Sequence, residues 1–186
     1  PGIDRPGLAT LLPTETNVFL LIDGGANIDA APDHLVGYAI MGSIYSHEIL
    51  GYPKPRVAIM SIGAEAGKGN DFTRETYKLL DNADIINFVG NIEGHALFND
   101  PVEVVVCDGF VGNVALKASE GVAGMMSHFL REEFTRSPLT KMAGLLVSHA
   151  PWLDGPCMAL HYDKDKYLLL TRFIFADGTY TDARTF

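Results

Sequence analysis

Short apolar runs alternate with longer segments of helical periodicity through most of the chain. The runs consist mainly of β-branched and other aliphatic residues, which is typical of strands buried in a sheet. These predicted strands span residues 18–22, 57–62, 85–89 and 104–107. The segments between the strands place apolar residues three and four positions apart, which favours helices that bury one face. The pattern therefore predicts an α/β protein.

The first predicted helix covers residues 33–50, and Asp33, which follows Pro32, is its expected N-cap. Gly42 inside this helix either weakens it or marks a close packing contact. A second helix is expected over residues 71–80. Residues 1–17 contain three prolines and little periodicity, so we expect an irregular, extended segment that covers the sheet.

A long helix is predicted from Asn113 onward. Its apolar residues follow the helical period: Val122, Met125, Met126, Phe129, Leu130 and Phe134. Ser137 followed by Pro138 is an N-cap with proline in the first helical position, which predicts one more helix. We expect this helical pair to project from the fold. It would serve a dimer interface, core packing or contact with a membrane surface.

The last part of the chain differs from the rest and divides the protein into two predicted domains, residues 1–150 and 151–186. A strand is predicted over 167–175, a hairpin turn over 176–179, and a return strand from Tyr180. This β-rich tail contains no pattern that indicates chemistry.

Strands that alternate with helices form a mostly parallel sheet with helices on both faces, so we expect a three-layer αβα sandwich. Ligands of such sheets bind outside the carboxyl ends of the strands. A glycine-rich turn follows each predicted strand, so all four turns lie at this edge. The polar residues that they bring together are Asp23, Asn27, Glu65, Lys68, Asn70, Asn91, Glu93, His95, Asp108 and Asn113.

The glycine-rich turns favour the binding of an anion. Glycines such as Gly67 and Gly112 let backbone N–H groups approach a ligand, and a helix N-terminus follows each turn. No turn contains G-x-G-x-x-G. Residues 63–69 are similar to a P-loop, but the spacing is one residue short and Gly69 stands where Ser or Thr is required. Inorganic phosphate or a phosphoryl group therefore fits the cleft better than a nucleoside triphosphate.

Composition narrows the function classes. The 186 residues carry a net charge of −9 with neutral histidines, whereas a nucleic-acid binder shows a basic patch or stripe. Cys107 and Cys157 lack the spacing of a metal site, and a cysteine in a buried strand suits a reducing cytosol. No apolar run reaches the roughly 18 residues of a membrane span, and no signal peptide is visible. We therefore expect a cytoplasmic protein without a metal.

Five blocks of sequence carry a family resemblance. In order along the chain they are LLIDGGANID, HLVGYAIMGSIY, PRVAIMSIGAEAGKGN, INFVGNIEG and VVVCDGFVGNVALKASEG. They resemble the PlsX family of bacterial phosphate acyltransferases of fatty acid and phospholipid synthesis, and the opening GIDRPGLATLLPT is similar as well. The resemblance covers about residues 2–150.

The resemblance implies a fold similar to phosphotransacetylase and isopropylmalate dehydrogenase. It implies a reaction in which an acyl carrier protein thioester and inorganic phosphate give acyl phosphate and free carrier protein, without a cofactor. Members of the family act as dimers and associate peripherally with the cytoplasmic face of the membrane. The implied partners are thus acyl carrier protein, inorganic phosphate, a second copy of the chain and a membrane surface.

The resemblance also assigns roles to residues of the cleft. Lys68 would hold the phosphate or oxyanion charge, and Asn113 would donate a hydrogen bond in the transition state. The remaining candidates, which would bind phosphate or shape the cleft, are Asp23, Asn27, Gly67, Asn70, Asn91, Asp108 and Gly112.

These assignments have simpler alternatives. Lys68 can be interpreted as a solvated loop lysine, and Asn113 as a helix N-cap alone. Asp23 and Asp108 can be interpreted as turn formers that accept hydrogen bonds from their own backbone.

Two other side chains could act in catalysis, but a simpler interpretation explains each of them better. His95 would protonate a departing thiolate, but an ordinary loop histidine explains it better. Cys107 would form an acyl-enzyme, but nothing near it in sequence favours a thiolate, so a buried strand cysteine is the better explanation.

The chain departs from the family pattern at both ends. Family members begin with another α/β segment that carries an acidic, glycine-rich motif, and they end in a Gly-Gly-Ala-Pro-Leu-type loop and a His-Gly-Ser stretch. This chain contains neither. Two other functions stay open: a short-chain phosphotransacylase that uses acyl-CoA, and a truncated paralogue that binds carrier protein or membrane as a scaffold.

Overall fold

The computed structural model describes residues 5–99 and 102–142, together with the backbone of three strands between residues 157 and 182. The chain forms two compact units, Pro1–Ala118 and Ser119–Phe186. The first unit contains all the glycine-rich turns that the sequence places at the candidate site.

The first unit is built on a five-stranded sheet. Its strands are β1 (Ala9–Pro13), β2 (Val18–Ile22), β3 (Arg56–Ser61), β4 (Asn87–Glu93) and β5 (Val104–Val106). Their order across the sheet is β1-β2-β5-β3-β4. Strand β1 is antiparallel to β2, whereas β2, β5, β3 and β4 run parallel to one another. The α/β class and the mostly parallel sheet are therefore confirmed.

Three helices accompany the sheet: α1 (Pro32–Glu48) after β2, α2 (Asp71–Asp81) after β3, and α3 (Gly109–Thr135) after β5. A short 3₁₀ turn, Gly94–Ala96, follows β4. Helices α1 and α2 contact each other. Because two helices that touch above a sheet share one of its faces, α1 and α2 cover the same face.

The core lies between these helices and the central strands. The buried cluster consists of Ile22, Val57, Ile59, Val104 and Val106 from the sheet, with Leu35, Tyr38, Ala39 and Leu80 from the helices. A Cβ atom on Gly42 would lie 2.6 Å from Val104 Cγ1, so this glycine marks the expected close contact between α1 and the sheet. The opposite face of the sheet is buried too, as Leu21, Ala58 and Val105 show.

The first segment of the chain is more regular than its prolines suggest. Strand β1 pairs with β2 from Ala9↔Ile22 to Pro13↔Val18, so the expectation of an irregular lead-in was wrong. A tight turn joins the two strands, in which Thr14 N–H donates to the Asn17 carbonyl at 2.8 Å. Because β1 has β2 on one side only, Pro13 is tolerated at its end.

Helix α1 begins earlier than predicted. Its N-cap is Ala31, and Pro32 occupies the first helical position. The Ala31 side chain has no acceptor, and instead His34 Nδ1 accepts a hydrogen bond from Ala31 N–H at 2.9 Å. Asp33 lies inside the first turn, so its prediction as the N-cap was wrong.

Strand β4 is displaced toward the carboxyl end of the predicted strand. The sequence predicts residues 85–89, but the strand spans Asn87–Glu93. Its pairing with β3 shifts between Val57↔Phe88 and Ala58↔Gly90, so Val89 is the extra residue; the adjacent Gly90 has a φ of 105°. This β-bulge continues the strand through the residues that the sequence assigns to a turn.

Helix α3 begins at Gly109, four residues before the predicted start at Asn113. Asp108 is the side chain that caps it, since its Oδ1 accepts hydrogen bonds from Phe110 N–H at 2.9 Å and Val111 N–H at 3.0 Å. The two glycines of this segment suggest a turn in the sequence. In the structure they belong to the helix, where small residues allow close packing.

The second unit contains the rest of α3 and a further helix over residues 138–142, after which the description stops until residue 157. Strands β6 (Cys157–Asp163), β7 (Leu168–Ile174) and β8 (Tyr180–Asp182) form an antiparallel sheet. The predicted hairpin corresponds to β7 and β8, whereas β6 was not predicted. Within the described ranges, no helix combines the length and the apolar character needed to cross a membrane.

Candidate functional site

The carboxyl ends of the four parallel strands lie at one edge of the sheet, and their connections form the candidate site. Three segments contribute most of it: the β2 loop (residues 23–31), the β3 loop (residues 62–70) and the β5 junction (residues 107–113). Because β5 lies between β2 and β3, its junction has the other two segments as neighbours.

Asp23 organises the β2 loop. The side chain is fully buried. Its Oδ1 accepts hydrogen bonds from the N–H groups of Leu8, Gly25 and Ala26 at 2.9, 3.0 and 2.8 Å. Its Oδ2 accepts from Asn27 N–H at 2.7 Å and from Asn27 Nδ2 at 3.1 Å. With five donors on two oxygens, the carboxylate is saturated by the protein itself.

The same contacts set the charge state of Asp23. Burial by itself raises the pKa of the carboxyl, but the backbone N–H groups of Ala26, Leu8, Gly25 and Asn27 outweigh burial. The pKa of Asp23 therefore lies below its ordinary value, because each donor favours the ionised form. A buried, saturated carboxylate is a turn former here, in agreement with the simpler alternative.

Asn27 is also engaged within the loop. Its Nδ2 donates to the Pro6 carbonyl at 2.9 Å as well as to Asp23. Its own carbonyl accepts from Gly109 N–H at 2.9 Å. Asn27 thus links the lead-in, the β2 loop and the first residue of α3.

The β5 junction packs on the β2 loop without space for side chains. A Cβ on Gly112 would lie 1.9 Å from the Asp23 carbonyl oxygen, and a Cβ on Gly109 would lie 2.8 Å from the Asn27 carbonyl oxygen. These distances are far below van der Waals contact. The glycines of the junction therefore allow α3 to start directly against the β2 loop.

Asn113 lies within α3 and faces the β2 loop. A Cβ on Gly25 would lie 3.3 Å from Asn113 Cβ and 3.5 Å from its Oδ1. Asp108 holds the cap position, so the interpretation of Asn113 as the helix N-cap was wrong. The side chain is exposed, and its amide forms no hydrogen bond with another residue of the described part of the chain.

Lys68 is carried by a turn within the β3 loop. Its backbone N–H donates to the Glu65 carbonyl at 3.0 Å. A Cβ on Gly63 would lie 2.7 Å from Lys68 Cγ, so the lysine stem crosses directly over this glycine. The residue is exposed, and the ammonium forms no ion pair with the residues that the structure describes. It is therefore available to an anion.

The end of the β3 loop is fixed by helix α2. Asn70 is the N-cap, and its Oδ1 accepts from Thr73 N–H at 2.8 Å and from the Thr73 hydroxyl at 2.9 Å. A Cβ on Gly69 would lie 2.7 Å from Thr73 Cβ. By contrast, a Cβ on Gly67 would meet nothing within 4 Å, so Gly67 borders open space beside Lys68.

Asn91 and Ser61 lie beneath the β3 loop. Asn91 Nδ2 donates to the Glu65 carbonyl at 2.7 Å. Asn91 Oδ1 and Ser61 Oγ are buried and have no hydrogen-bond partner in the described part of the chain. The sequence analysis did not select Ser61, because it ends a strand and does not belong to a glycine-rich turn. Its position at the carboxyl end of β3 could have indicated it.

His95 and Cys107 do not join the site as reactive groups. His95 Nδ1 lies 3.6 Å from Glu93 Oε2, and its side chain is 76% exposed. Burial, together with the negative charges of Asp108 and Asp23, raises the pKa of the Cys107 thiol far above its ordinary value. Both observations agree with the simpler interpretations. Among the described residues, no group of three His, Cys, Asp or Glu side chains is arranged to hold a metal ion.

The geometry thus separates the candidates by what their side chains do. Asp23, Asp108, Asn27 and Asn70 hold backbone in place. Lys68 and Asn113 lie at the same edge of the sheet, and their polar groups have no partner among the residues that the structure describes. An exposed ammonium and an exposed carboxamide beside glycine-rich backbone can bind an oxyanion and stabilise negative charge that develops on a carbonyl oxygen.

The fold defines an α/β protein whose candidate site lies at the carboxyl edge of the sheet, and sequence comparison identifies its family. A model of the family described as "Fatty acid synthesis protein" matches residues 1–162. The chain belongs to this family. The relatives confirm the resemblance drawn from the sequence blocks, as the following matches show.

A protein named phosphate acyltransferase from Nitratidesulfovibrio vulgaris is 49% identical over 150 residues, which cover 81% of this chain and 44% of the relative. A phosphate acyltransferase from Halothermothrix orenii is 49% identical, and the match covers 87% of this chain and 48% of the relative. One from Desulfitobacterium hafniense is 50% identical, and the match covers 78% of this chain and 44% of the relative. The chain spans less than half the length of these relatives. EutD phosphotransacetylase from Staphylococcus aureus aligns at 16% identity with a TM-score of 0.49, over 67% of this chain and 44% of that chain.

Proposed function

We propose that this chain contributes the phosphate site of a phosphate acyltransferase, which makes acyl phosphate from an acyl carrier protein thioester and inorganic phosphate. Two relatives that carry this name are 49% and 50% identical to the chain over 150 and 147 residues. The observation that carries the proposal is the pair of unpartnered groups, the Lys68 ammonium and the Asn113 carboxamide, at the carboxyl edge of the sheet.

The reaction suits a site without a protein nucleophile. Inorganic phosphate is already anionic, so one of its oxygens attacks the thioester carbon directly. The carbonyl electron pair moves to oxygen, and a tetrahedral oxyanion forms. When the carbonyl re-forms, the carbon–sulfur bond breaks, and the carrier protein leaves as a thiolate that takes a proton from water.

Lys68 and Asn113 take complementary roles in this scheme. The Lys68 ammonium offsets the charge of phosphate and holds it beside the thioester. The Asn113 Nδ2 donates a hydrogen bond to the oxyanion, where a donor contributes most because the charge is largest in the transition state. The backbone around Gly67, which borders open space, offers further room for phosphate.

The other predicted site residues support this geometry indirectly. Asp23 and Asn27 would fix the β2 loop, while Asp108 and the close approach at Gly112 would fix the start of α3, which carries Asn113. Asn70 would fix the loop that carries Lys68. Their hydrogen bonds to backbone support a role in shaping the cleft rather than in direct contact with phosphate.

We also infer the partners and the location of the protein. An acidic carrier protein needs cations, and the exposed residues Arg131, Arg136 and Lys141 provide them. Helix α3 also exposes a set of large apolar side chains, Val122, Met125, Met126, Phe129 and Leu130. Such a surface suits a homodimer interface or a peripheral contact with the inner face of the membrane, in the cytoplasm.

The test is formation of acyl phosphate from a long-chain acyl carrier protein and phosphate, trapped with hydroxylamine. Replacement of Lys68 or Asn113 by Ala should lower the rate about 100-fold, which is the typical effect of losing one group that stabilises the oxyanion. Lys54→Ala is the matched control, because Lys54 lies two residues before the amino end of β3, at the opposite edge of the sheet. Full activity of Lys68→Ala and Asn113→Ala would refute the proposed site, and turnover of acyl-CoA alone would identify a short-chain phosphotransacylase.

A further inference from the structure

We propose that Asn91 is a positioning residue for Lys68 and does not itself contact phosphate. This inference rests on the proposed function, because it takes Lys68 as the group that holds phosphate. The family resemblance implies that Asn91 binds phosphate or shapes the cleft, and this inference assigns it the second role.

A single carbonyl oxygen connects the two residues. The Glu65 carbonyl accepts a hydrogen bond from Asn91 Nδ2 at 2.7 Å and another from Lys68 N–H at 3.0 Å. Asn91 belongs to a strand of the sheet, whereas Lys68 belongs to an exposed loop. The amide of Asn91 therefore ties the turn that carries Lys68 to the rigid part of the molecule.

Both polar atoms of Asn91 are turned toward the loop or the interior. Nδ2 donates to the Glu65 carbonyl, and Oδ1 is buried and accepts no hydrogen bond from the residues that the structure describes. Rotation of the amide by 180° would place Oδ1 against the Glu65 carbonyl, so that two acceptors would face each other. The orientation of the side chain is therefore fixed by its hydrogen bond to the loop.

The bulge at Gly90 directs Asn91 toward the loop. Side chains alternate between the two faces of a strand, so one extra residue exchanges the faces. Because of the bulge, Asn91 pairs with Ile59 and Glu93 pairs with Ser61. Without it, Asn91 would be opposite Met60 and would face the other side of the sheet. The extra residue Val89, next to Gly90 with its φ of 105°, thus places Asn91 on the face from which its amide reaches the Glu65 carbonyl.

The experiment is a double-mutant cycle between Asn91 and Lys68. In Asn91→Leu a side chain of similar size lacks both the donor and the unpaired oxygen, so the fold should be retained. We expect kcat/KM for phosphate to fall about 5- to 10-fold, as the loss of one hydrogen bond implies. In the Lys68→Ala background the same change should have no further effect. Asn91→Ala provides a second variant for the same cycle.

Asn87→Leu is the matched control. Asn87 begins the same strand, and its Nδ2 also donates to a backbone carbonyl, that of Lys54 at 3.3 Å, but at the opposite edge of the sheet. This variant should keep the parental kcat/KM for phosphate. Equal losses in Asn91→Leu and Asn87→Leu, or an Asn91 effect that persists in the Lys68→Ala background, would overturn the inference.

Hydrogen exchange separates this inference from the proposed function. Amides of residues 64–68 should exchange faster in Asn91→Leu than in the parent chain, whatever reaction the chain catalyses. If the parent forms no acyl phosphate but exchange is faster in the variant, the proposed function is refuted. The inference that Asn91 positions the loop then still stands. Unchanged exchange would overturn the inference, even with an active parent.

Discussion

Replacement of Gly112 by Ala should disrupt the junction between the β2 loop and helix α3. A Cβ at this position would lie 1.9 Å from the Asp23 carbonyl oxygen and 2.9 Å from both the Asp23 carbonyl carbon and Cys107 Sγ. An ordinary contact between carbon and oxygen is about 3.3 Å, so the start of α3 has to move by more than 1 Å. The nearest atom belongs to backbone, and no rotamer change can relieve the contact.

The expected cost is large for a single methyl group. Overpacking of a buried site costs about 1–3 kcal/mol when side chains can adjust, and a backbone contact places this variant at the upper end, about 3 kcal/mol or more. For a chain of this size that corresponds to a decrease in Tm of roughly 6–12 °C. Because Asn113 follows the displaced residue directly, acyl phosphate formation should fall as well.

Two other glycines of α3 provide the control. A Cβ on Gly121 or Gly124 would meet nothing within 4 Å, so Ala at either position should stabilise the helix by up to about 1 kcal/mol. Thermal unfolding of the three variants measures the difference. If Gly112→Ala unfolds at the parental temperature, or if it resembles Gly121→Ala, the close contact of α3 with the β2 loop is incorrect.

Two further predictions concern buried ionisable groups. Because the pKa of Asp23 is lower in the folded chain than in the unfolded chain, its contribution to stability is complete above pH about 4 and is lost as the pH falls through the folded value. The free energy of unfolding of Asp23→Asn should therefore be about 2 kcal/mol lower than that of the parent at pH 7. In urea titrations it should decrease less steeply than that of the parent below pH 4, and an equally steep decrease would contradict this. Cys107 should react with a thiol reagent at pH 8 only when the chain unfolds, because it is 3% exposed and burial raises its pKa. This is measured in a Cys157→Ser background, and rapid labelling of the folded chain would contradict it.

The strands and helices of the first unit were predictable because its core is a parallel sheet. Both faces of such strands are buried, so β2, β3 and β5 appear in the sequence as short aliphatic runs. Helix α2 was located within one residue because Asn70 caps it and its apolar residues follow the helical period. These features depend only on residues close in sequence.

The boundaries that failed depend on contacts between distant segments. Strand β1 forms because Leu11 and Leu12 pair with β2 and become buried, although their own sequence is irregular. Strand β4 extends beyond Val89 because a bulge at Gly90 is compensated by continued pairing with β3. The sequence shows the glycine, but it does not show the pairing with β3 that defines the bulge.

The position of the candidate site was predictable from the sequence, whereas the orientation of its side chains was less so. The rule that ligands bind at the carboxyl ends of parallel strands selected the loops that contain Lys68 and the segment that contains Asn113. It does not distinguish a polar side chain that faces the cleft from one that caps a helix. Asn70 and Asp108 both follow strands, yet their side chains accept hydrogen bonds from the first turns of α2 and α3.

The order of the strands supports the proposal that Lys68 and Asn113 act on one substrate. They are 45 positions apart in the sequence, but Lys68 follows β3 and Asn113 follows β5, and these two strands are hydrogen-bonded neighbours. Adjacent strands lie about 4.8 Å apart, so the two connections leave the sheet side by side. A phosphate held by the ammonium and a thioester carbonyl that faces the carboxamide would then be within bonding reach. If β4 lay between β3 and β5, the two connections would be separated by another strand width of about 4.8 Å.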